Sequence, residues 1–432
     1  MSASESASGL SKIVKILILN QTFYPDVVAT AHYASHLAAE LASQGYTVSV
    51  LTGLRAYDNP SQRFPSREVW RGVGIRRIFT PGLGKRTKWR RLADFVCFLL
   101  GCAWRLLWMH RNDVVVALTS PPLIAFLAGM FVRLKGGKLL YWVMDLNPDQ
   151  AIAAGMLRPG TKRAKVLESM LRGTLRASSK TVVLDRFMEE RLQARGLDSS
   201  AIATIPPWSH NGAMTLDHTR RDCFRREHGI DNKFVVMYAG NHSPCHPLDT
   251  LIAAAESLAA EQDIVFCFVG GGTEHQKVSE HATRIGAGNV ICLPYPPKEQ
   301  LADPLFAADL HVVVMGDSYV GIVHPCKVYN ILALGTPLLY IGPLESHVTD
   351  LAAEGEQDGW FYPAPHGAIR QVIGHIRRAK KAARLSVSNE KDIAAGFSQS
   401  LLLGRMMAEI RSLAVPVVPA EAPQAATAES EI

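Results

Sequence analysis

The 432-residue chain has no DxD triplet and no internal repeat, and its one glycine-rich run, Gly270-Gly271-Gly272, does not match a P-loop. It has seven cysteines, Cys97, Cys102, Cys223, Cys245, Cys267, Cys292 and Cys326, an odd number without zinc-ligand spacing. Most lie in apolar runs, which excludes a disulfide framework and reads as reduced thiols of a cytosolic protein. The first twelve residues lack the apolar core of a secretory signal, and residues 1–13 and 415–432 read as loose tails. No uninterrupted apolar run reaches the ~20 residues that a bilayer span needs. The best window, 114–132, is broken by Thr119-Ser-Pro-Pro122, where the proline pair forces a turn.

Hydrophobic residues make up 48% of the chain and charged residues 20%, the balance of a globular protein. The net charge is +7, which favours anionic partners: nucleotides, phospholipid surfaces or nucleic acid. The length predicts two domains, at roughly 100–200 residues each.

The pattern begins with a strand at 14–20, a helix at 31–44 and a strand at 46–52, the opening of a βαβ unit. Strands follow at 114–118, 138–144, 181–184 and 203–206, alternating with helices at 123–134, 161–177 and 186–195. A polar stretch at 209–232 reads as a linker. The pattern then restarts with strands at 234–239, 264–269, 289–293, 310–315 and 338–341. Helices are predicted at 248–260, 298–307, 327–334, near 345–354 and 366–385, and at 397–413. The fold class is therefore α/β, two doubly wound Rossmann-like domains facing each other across a cleft.

Residues 321–337 (GIVHPCKVYNILALGTP) organise the second half. Lys327, Val328, Ile331, Leu332 and Leu334 recur at helical spacing, and Gly335 and Pro337 stop the helix. Pro325 suits the first turn, whose unpaired N–H groups carry partial positive charge. Lys327 adds a full charge there, and Asn330 can donate and accept one turn later. That combination suits a diphosphate and a ribose; a buried helix with a snorkelling lysine is the alternative. Asp145, at the carboxyl end of a strand, faces either the ligand crevice or a helix to cap. His32 lies where strand ends meet helix starts in the first half, or is a surface histidine. His242 and His246 either meet an anion or form a polar turn stiffened by Pro244 and Pro247.

Residues 85–111 carry Lys85, Arg86, Lys88, Arg90 and Arg91 ahead of an apolar helix with Trp89, Trp104 and Trp108. Basic residues beside interfacial aromatics predict a helix lying on an anionic membrane; a core helix behind a solvated basic loop is the alternative.

The motif order resembles that of retaining nucleotide-sugar glycosyltransferases of family four, and most closely their bacterial O-antigen and colanic-acid branch. The carrying stretches are 15–25 (KILILNQTFYP), Asp145-Leu-Asn-Pro148, 182–188 (VVLDRFM), Tyr238-Ala-Gly-Asn241, Val269-Gly-Gly-Gly272 and 325–337. The resemblance spans roughly residues 14–412 and implies the GT-B fold. It implies an acceptor-side domain at 14–208, a donor domain at 233–395, and a helix at 396–414 packing back towards the first domain. It puts Lys327 on the donor diphosphate, with Gly240, Asn241, His242, Gly271, Tyr295, His324, Pro325, Cys326 and Asn330 around the donor. Tyr24 and His32 fall on the acceptor side, with Asp145 beside the reaction. Asn330 stands where the family often has Glu. The family's second acidic position is Ile322, for which Asp317 or His324 would have to substitute.

The implied chemistry is retention without a protein nucleophile. Diphosphate leaves, an oxocarbenium-like state forms, and the acceptor hydroxyl attacks from the same face, so the protein stabilises charge and positions groups. No metal cofactor is expected. The expected partners are a nucleotide-diphosphate sugar, a polyprenyl-diphosphate-linked or glycan acceptor, and the inner face of the cytoplasmic membrane, with no nucleic acid. A nucleotide-sugar 2-epimerase of the same fold and a non-catalytic nucleotide-sugar-binding subunit are the rival readings.

Overall fold

The computed structural model describes residues 13–57, 59–83, 88–209, 216–353, 359–383 and 395–414. The expected tails, apart from Ile13, and Lys85 and Arg86 lie outside them. The first sheet contains β1 (Lys15–Leu19), β2 (Thr47–Gly53), β3 (Arg67–Trp70), β4 (Val73–Ile78), β5 (Val114–Ala117), β6 (Lys138–Trp142), β7 (Lys180–Val183) and β8 (Ile202–Thr204). Their order is β3-β4-β2-β1-β5-β6-β7-β8, parallel except for the antiparallel β3–β4 pair. Helices α1 (Ala29–Ser43), α2 (Lys88–Leu107), α3 (Ile124–Lys135), α4 (Asp149–Ala153), α5 (Lys162–Ala177) and α6 (Arg186–Gln193) complete this lobe. β1 reads as an unbroken apolar run because both its faces are covered: Ile16 and Ile18 enter one core, Leu17 and Leu19 the other.

The second half begins with α7 (His218–Glu227), within the stretch expected to be a linker. Asp217 caps it, Phe224 joins the core beneath β9 and β10, and Arg225 donates to the Ala307 carbonyl at 2.7 Å. The second sheet runs β11-β10-β9-β12-β13-β14. Its strands are β9 (Phe234–Asn241), β10 (Ile264–Gly271), β11 (Val290–Leu293), β12 (Leu310–Val314), β13 (Leu338–Ile341) and β14 (Phe361–Ala364). Helices α8 (Asp249–Ser257), α9 (Thr273–Ile285), α10 (Asp303–Ala307), α11 (Lys327–Leu334), α12 (His347–Ala353) and α13 (Ile369–Ala383) surround it. The helix expected over 298–307 is a short 3-10 turn followed by α10, because Pro304 at the head of α10 has no N–H to continue an earlier helix. The last helix, α14 (Gln399–Ala414), returns to the first lobe: Leu402, Met406 and Ile410 share a core with Ile16 and Val116.

Both sheets reverse strand order beside their first strand, between β1 and β5 and between β9 and β12. Ligands of open α/β sheets bind outside the carboxyl ends at such points.

Candidate functional site

The crevice between β9 and β12 is built around α11. The helix starts at Cys326, which has no side-chain cap, and ends at Gly335 with φ of 65°, a left-handed stop. The side chain of Lys327 meets the end of β9. The Lys327 amine sits 3.6 Å from the centroid of the Tyr238 ring, is buried, and has no hydrogen-bond acceptor among the described residues. Burial alone lowers its pKa to about 7. Gly240 lies beside it with φ of 120°, a conformation that side chains rarely adopt. Gly270 is still more constrained, since a Cβ would fall 2.1 Å from the Gly240 carbonyl oxygen. Glycine is required where β9 and β10 close on each other.

His242 and His246 line the same crevice. The Nδ1–H of His242 donates to the Gly240 carbonyl at 2.8 Å, and that of His246 donates to the Val314 carbonyl at 2.7 Å. Burial first, then the charge of Lys327, pulls both imidazoles down to about 3, so both are neutral. The His242 Nε2 is then a buried lone pair without a partner. A buried amine without an acceptor among the described residues, beside an uncapped helix start, is chemically matched to an incoming anion, whereas the lone pair of neutral His242 is not until it takes up a proton.

Asp145 faces this crevice from the first lobe. It forms an antiparallel bridge with Val323, and the Leu146 N–H donates to the Ile322 carbonyl at 2.9 Å. Burial raises its carboxyl to about 6. Its charge helps to raise the thiols of Cys245 and Cys326, so it lies within electrostatic reach of the residue preceding Lys327.

Residues 29–208 match the family described as Glycosyl transferase 4-like domain, and residues 220–387 match Glycosyl transferases group 1. The chain belongs to the GT-B glycosyltransferases. It is 24% identical over 339 residues, 74% of this chain and 82% of the relative, to WcaI of Escherichia coli (strain K12), named for colanic acid biosynthesis. It is 22% identical over 255 residues, 59% of this chain and 63% of the relative, to the glycosyltransferase WbjE of Pseudomonas aeruginosa. Sucrose-phosphate synthase from Thermosynechococcus elongatus superposes with a TM-score of 0.70 at 14% identity, covering 93% of this chain and 99% of that one. Anabaena HepE, solved with UDP-glucose, gives 0.65 at 15% identity, covering 92% and 99%. At this level the function is that of a glycosyltransferase.

Within this glycosyltransferase the expected donor residues divide into two groups. Gly240, Asn241, His242, Gly271 and Lys327 gather at the crevice; Tyr295 packs over Gly271, and Asn330 is half-buried one turn beyond Lys327. Cys326 turns away from it, its thiol donating to the His324 carbonyl at 3.2 Å and its side chain packing on the first lobe's core. Pro325 is buried immediately before the helix, and its carbonyl accepts from the Val328 N–H at 3.4 Å. His324 does not join the crevice. Its Nδ1 bonds Asp185 of the first lobe at 2.7 Å and its Nε2 bonds the Tyr329 hydroxyl at 2.7 Å, which leaves neither nitrogen for a donor or for the sugar. Ile322, at the family's acidic position, is buried in the first lobe's core.

On the first lobe, Tyr24 stacks on Trp70 at 4.4 Å and His32 is half-buried on α1, 6.3 Å from the His36 ring. Both lie away from the contacts of Lys327. Asp185, His324 and His347 present ligand atoms within 4.8 Å of one another, the spacing of a metal cluster. The His324 and His347 rings, however, stack at 3.8 Å, whereas imidazoles on one metal diverge, so the group is a hydrogen-bonded seam between the lobes. Two participants were not marked in the sequence: Tyr238 beneath the amine and Asp185 in the seam. Both lie in stretches that carry the resemblance, Tyr238-Ala-Gly-Asn241 and 182–188, but neither had a role assigned there.

Proposed function

We propose that this chain is a retaining glycosyltransferase. It moves a sugar from a nucleotide-diphosphate donor to a polyprenyl-diphosphate-linked or glycan acceptor at the inner face of the cytoplasmic membrane. The observation that carries the reading is the buried Lys327 amine, held over Tyr238 without an acceptor at the start of α11. A departing diphosphate supplies the missing acceptors, and the amine and helix start take up its charge. Asp145, across the crevice, positions the acceptor hydroxyl. HepE, with its bound UDP-glucose, supports a nucleotide-sugar donor.

The membrane part rests on α2. Trp89, Leu92, Val96, Leu100 and Trp104 are all exposed along one side of it, with Trp104 65% exposed, and Trp108 is exposed in the turn that follows. Arg90 lies over Trp89 at 5.5 Å, and Arg91 reaches the Tyr57 hydroxyl at 3.2 Å. Such a stripe with basic neighbours suits the interface of an anionic membrane. No helix of the described residues is long and apolar enough to cross a membrane.

Calorimetry with UDP and other nucleoside diphosphates, on wild type and Lys327→Ala, tests the site. The variant should lose about 1–3 kcal/mol, the worth of a charge-assisted bond, and unchanged affinity would count against the site. In the same preparations EDTA should leave transfer intact. Donor incubated without acceptor should remain unepimerised, and a 2-epimer would favour the epimerase reading.

A further inference from the structure

The exposed stripe of α2 runs into a pocket of about 580 Å³ at the far end of the first lobe. Lys15, Arg67, Arg76, Arg105 and Arg111 line it, facing one carboxylate, Glu68. Glu68 already accepts from Arg77. The Nε of Arg105 is buried without a hydrogen-bond partner among the described residues. Trp108 forms part of the wall and meets Trp104 edge-on at 5.8 Å.

The place is distinct from the crevice. Lys15 opens β1 and Asn112 lies just before β5, so the pocket is at the amino ends of the strands, whereas Lys327 and Asp145 sit at the carboxyl ends. Five cations face Glu68, which is engaged, and border Asp113, which accepts from the Lys15 backbone N–H at 3.0 Å, so positive charge is still in excess; guanidinium forks match phosphate oxygens in pairs. The volume is that of a small-ligand site, in the range of roughly 300–1,000 Å³.

We propose that this pocket binds a phosphate ester, the headgroup phosphate of an anionic phospholipid, whose acyl chains lie along the Trp104 and Leu100 stripe. A free phosphate would satisfy the cations but would gain nothing from the apolar stripe that opens into them. The lipid source rests on the membrane reading of α2, while the phosphate site stands on the pocket itself. Bound there, the headgroup fixes how α2 sits on the bilayer and so the direction in which the crevice faces.

The test uses the full chain and soluble monomers of dihexanoyl phosphatidate, dihexanoyl phosphatidylcholine and inorganic phosphate, titrated by calorimetry. Co-sedimentation with phosphatidylcholine vesicles containing phosphatidylglycerol is run alongside. The variant is Arg67→Ala with Arg111→Ala; both side chains are exposed, and a melting curve checks the fold. Wild type should bind phosphatidate at one saturable site, at least tenfold more tightly than phosphatidylcholine or inorganic phosphate, and the double variant should lose at least tenfold. Inorganic phosphate binding as tightly as phosphatidate would overturn the lipid source. Equal phosphatidate binding by wild type and variant would overturn the pocket, even where vesicle binding persists. Phosphatidate binding by a chain that ignores the vesicles would uphold the pocket and remove the membrane reading instead.

Discussion

A lysine amine buried without an acceptor is held near neutrality by its surroundings, and Lys327, lowered to about 7, shows that directly. A dianionic ligand favours the protonated amine, so binding above pH 7 takes up a proton. The dissociation constant for a nucleoside diphosphate should therefore weaken as pH rises from 6 to 9, by up to about tenfold per unit beyond 7. Calorimetry in buffers of different ionisation enthalpy reads the proton directly, Lys327→Ala should flatten the profile, and a flat wild-type profile would speak against the site. Asp145 shows the same tension with the opposite sign. A carboxyl raised to about 6 binds its proton more tightly folded than unfolded, so stability is greatest below the ordinary carboxylate pKa and falls as pH rises through 4 to 6. Asp145→Asn should thus stabilise the chain by about 2–3 kcal/mol at pH 8, from the shift at 1.36 kcal/mol per unit. It should also abolish transfer if Asp145 positions the acceptor; denaturant melts and turnover on one preparation give both numbers.

At the scale of elements, α14 is the clearest case of structure completed from a distance. Met406 and Ile410 are fully buried against first-lobe strands, and Arg405 donates to the Thr204 carbonyl at 2.8 Å. Met406→Ala should cost about 2–5 kcal/mol, the usual range for emptying a core site, while Leu401→Ala on the exposed side of the same helix should cost little. The buried strands β1, β5, β9 and β12 were legible because both faces are covered and nearly all their residues are apolar, Lys15, Asn241 and His311 apart. The β3–β4 pair was not, because an edge ribbon carrying Arg67, Glu68, Arg76 and Arg77 has the composition of a loop. Helix α11 could be read from Lys327 to Gly335 because its signals are local. The ring under Lys327 could not, since only the meeting of β9 with α11 places Tyr238 there. His324 was misassigned for the same reason: its partner Asp185 is 139 residues away in the chain.

At the scale of the whole molecule, the lobes are tied together immediately upstream of α11. Val323 bridges Asp145, the Ile322 carbonyl accepts from the Leu146 N–H, the Val320 carbonyl accepts from Arg191 Nε at 2.8 Å, and His324 bonds Asp185, so one short segment is held by four first-lobe residues. Asp185 also caps α6 through the Met188 N–H at 2.8 Å. Burial would raise its carboxyl, but the bond and charge of His324, with His347 and the Met188 N–H, outweigh that and hold it down to about 2. A depressed acid contributes stability at pH values above its unfolded pKa, and that contribution is lost only as pH falls towards 2. Mild acid between pH 7 and 5 should therefore leave the Asp185 contact intact. Removing His324 acts differently: it leaves a buried charge without its partner, which typically costs about 3–5 kcal/mol. The Arg186–Asp350 pair, at 2.6 Å on the surface beside it, provides the control, because exposed pairs contribute about 0–1 kcal/mol. His324→Ala should lower the melting midpoint strongly, raise the donor KM and speed amide exchange in residues 317–326, whereas Asp350→Ala should do none of these to a comparable degree. The seam holds the segment that positions the start of α11, so equal exchange rates in the two variants would mean that Lys327 is positioned by the second lobe alone.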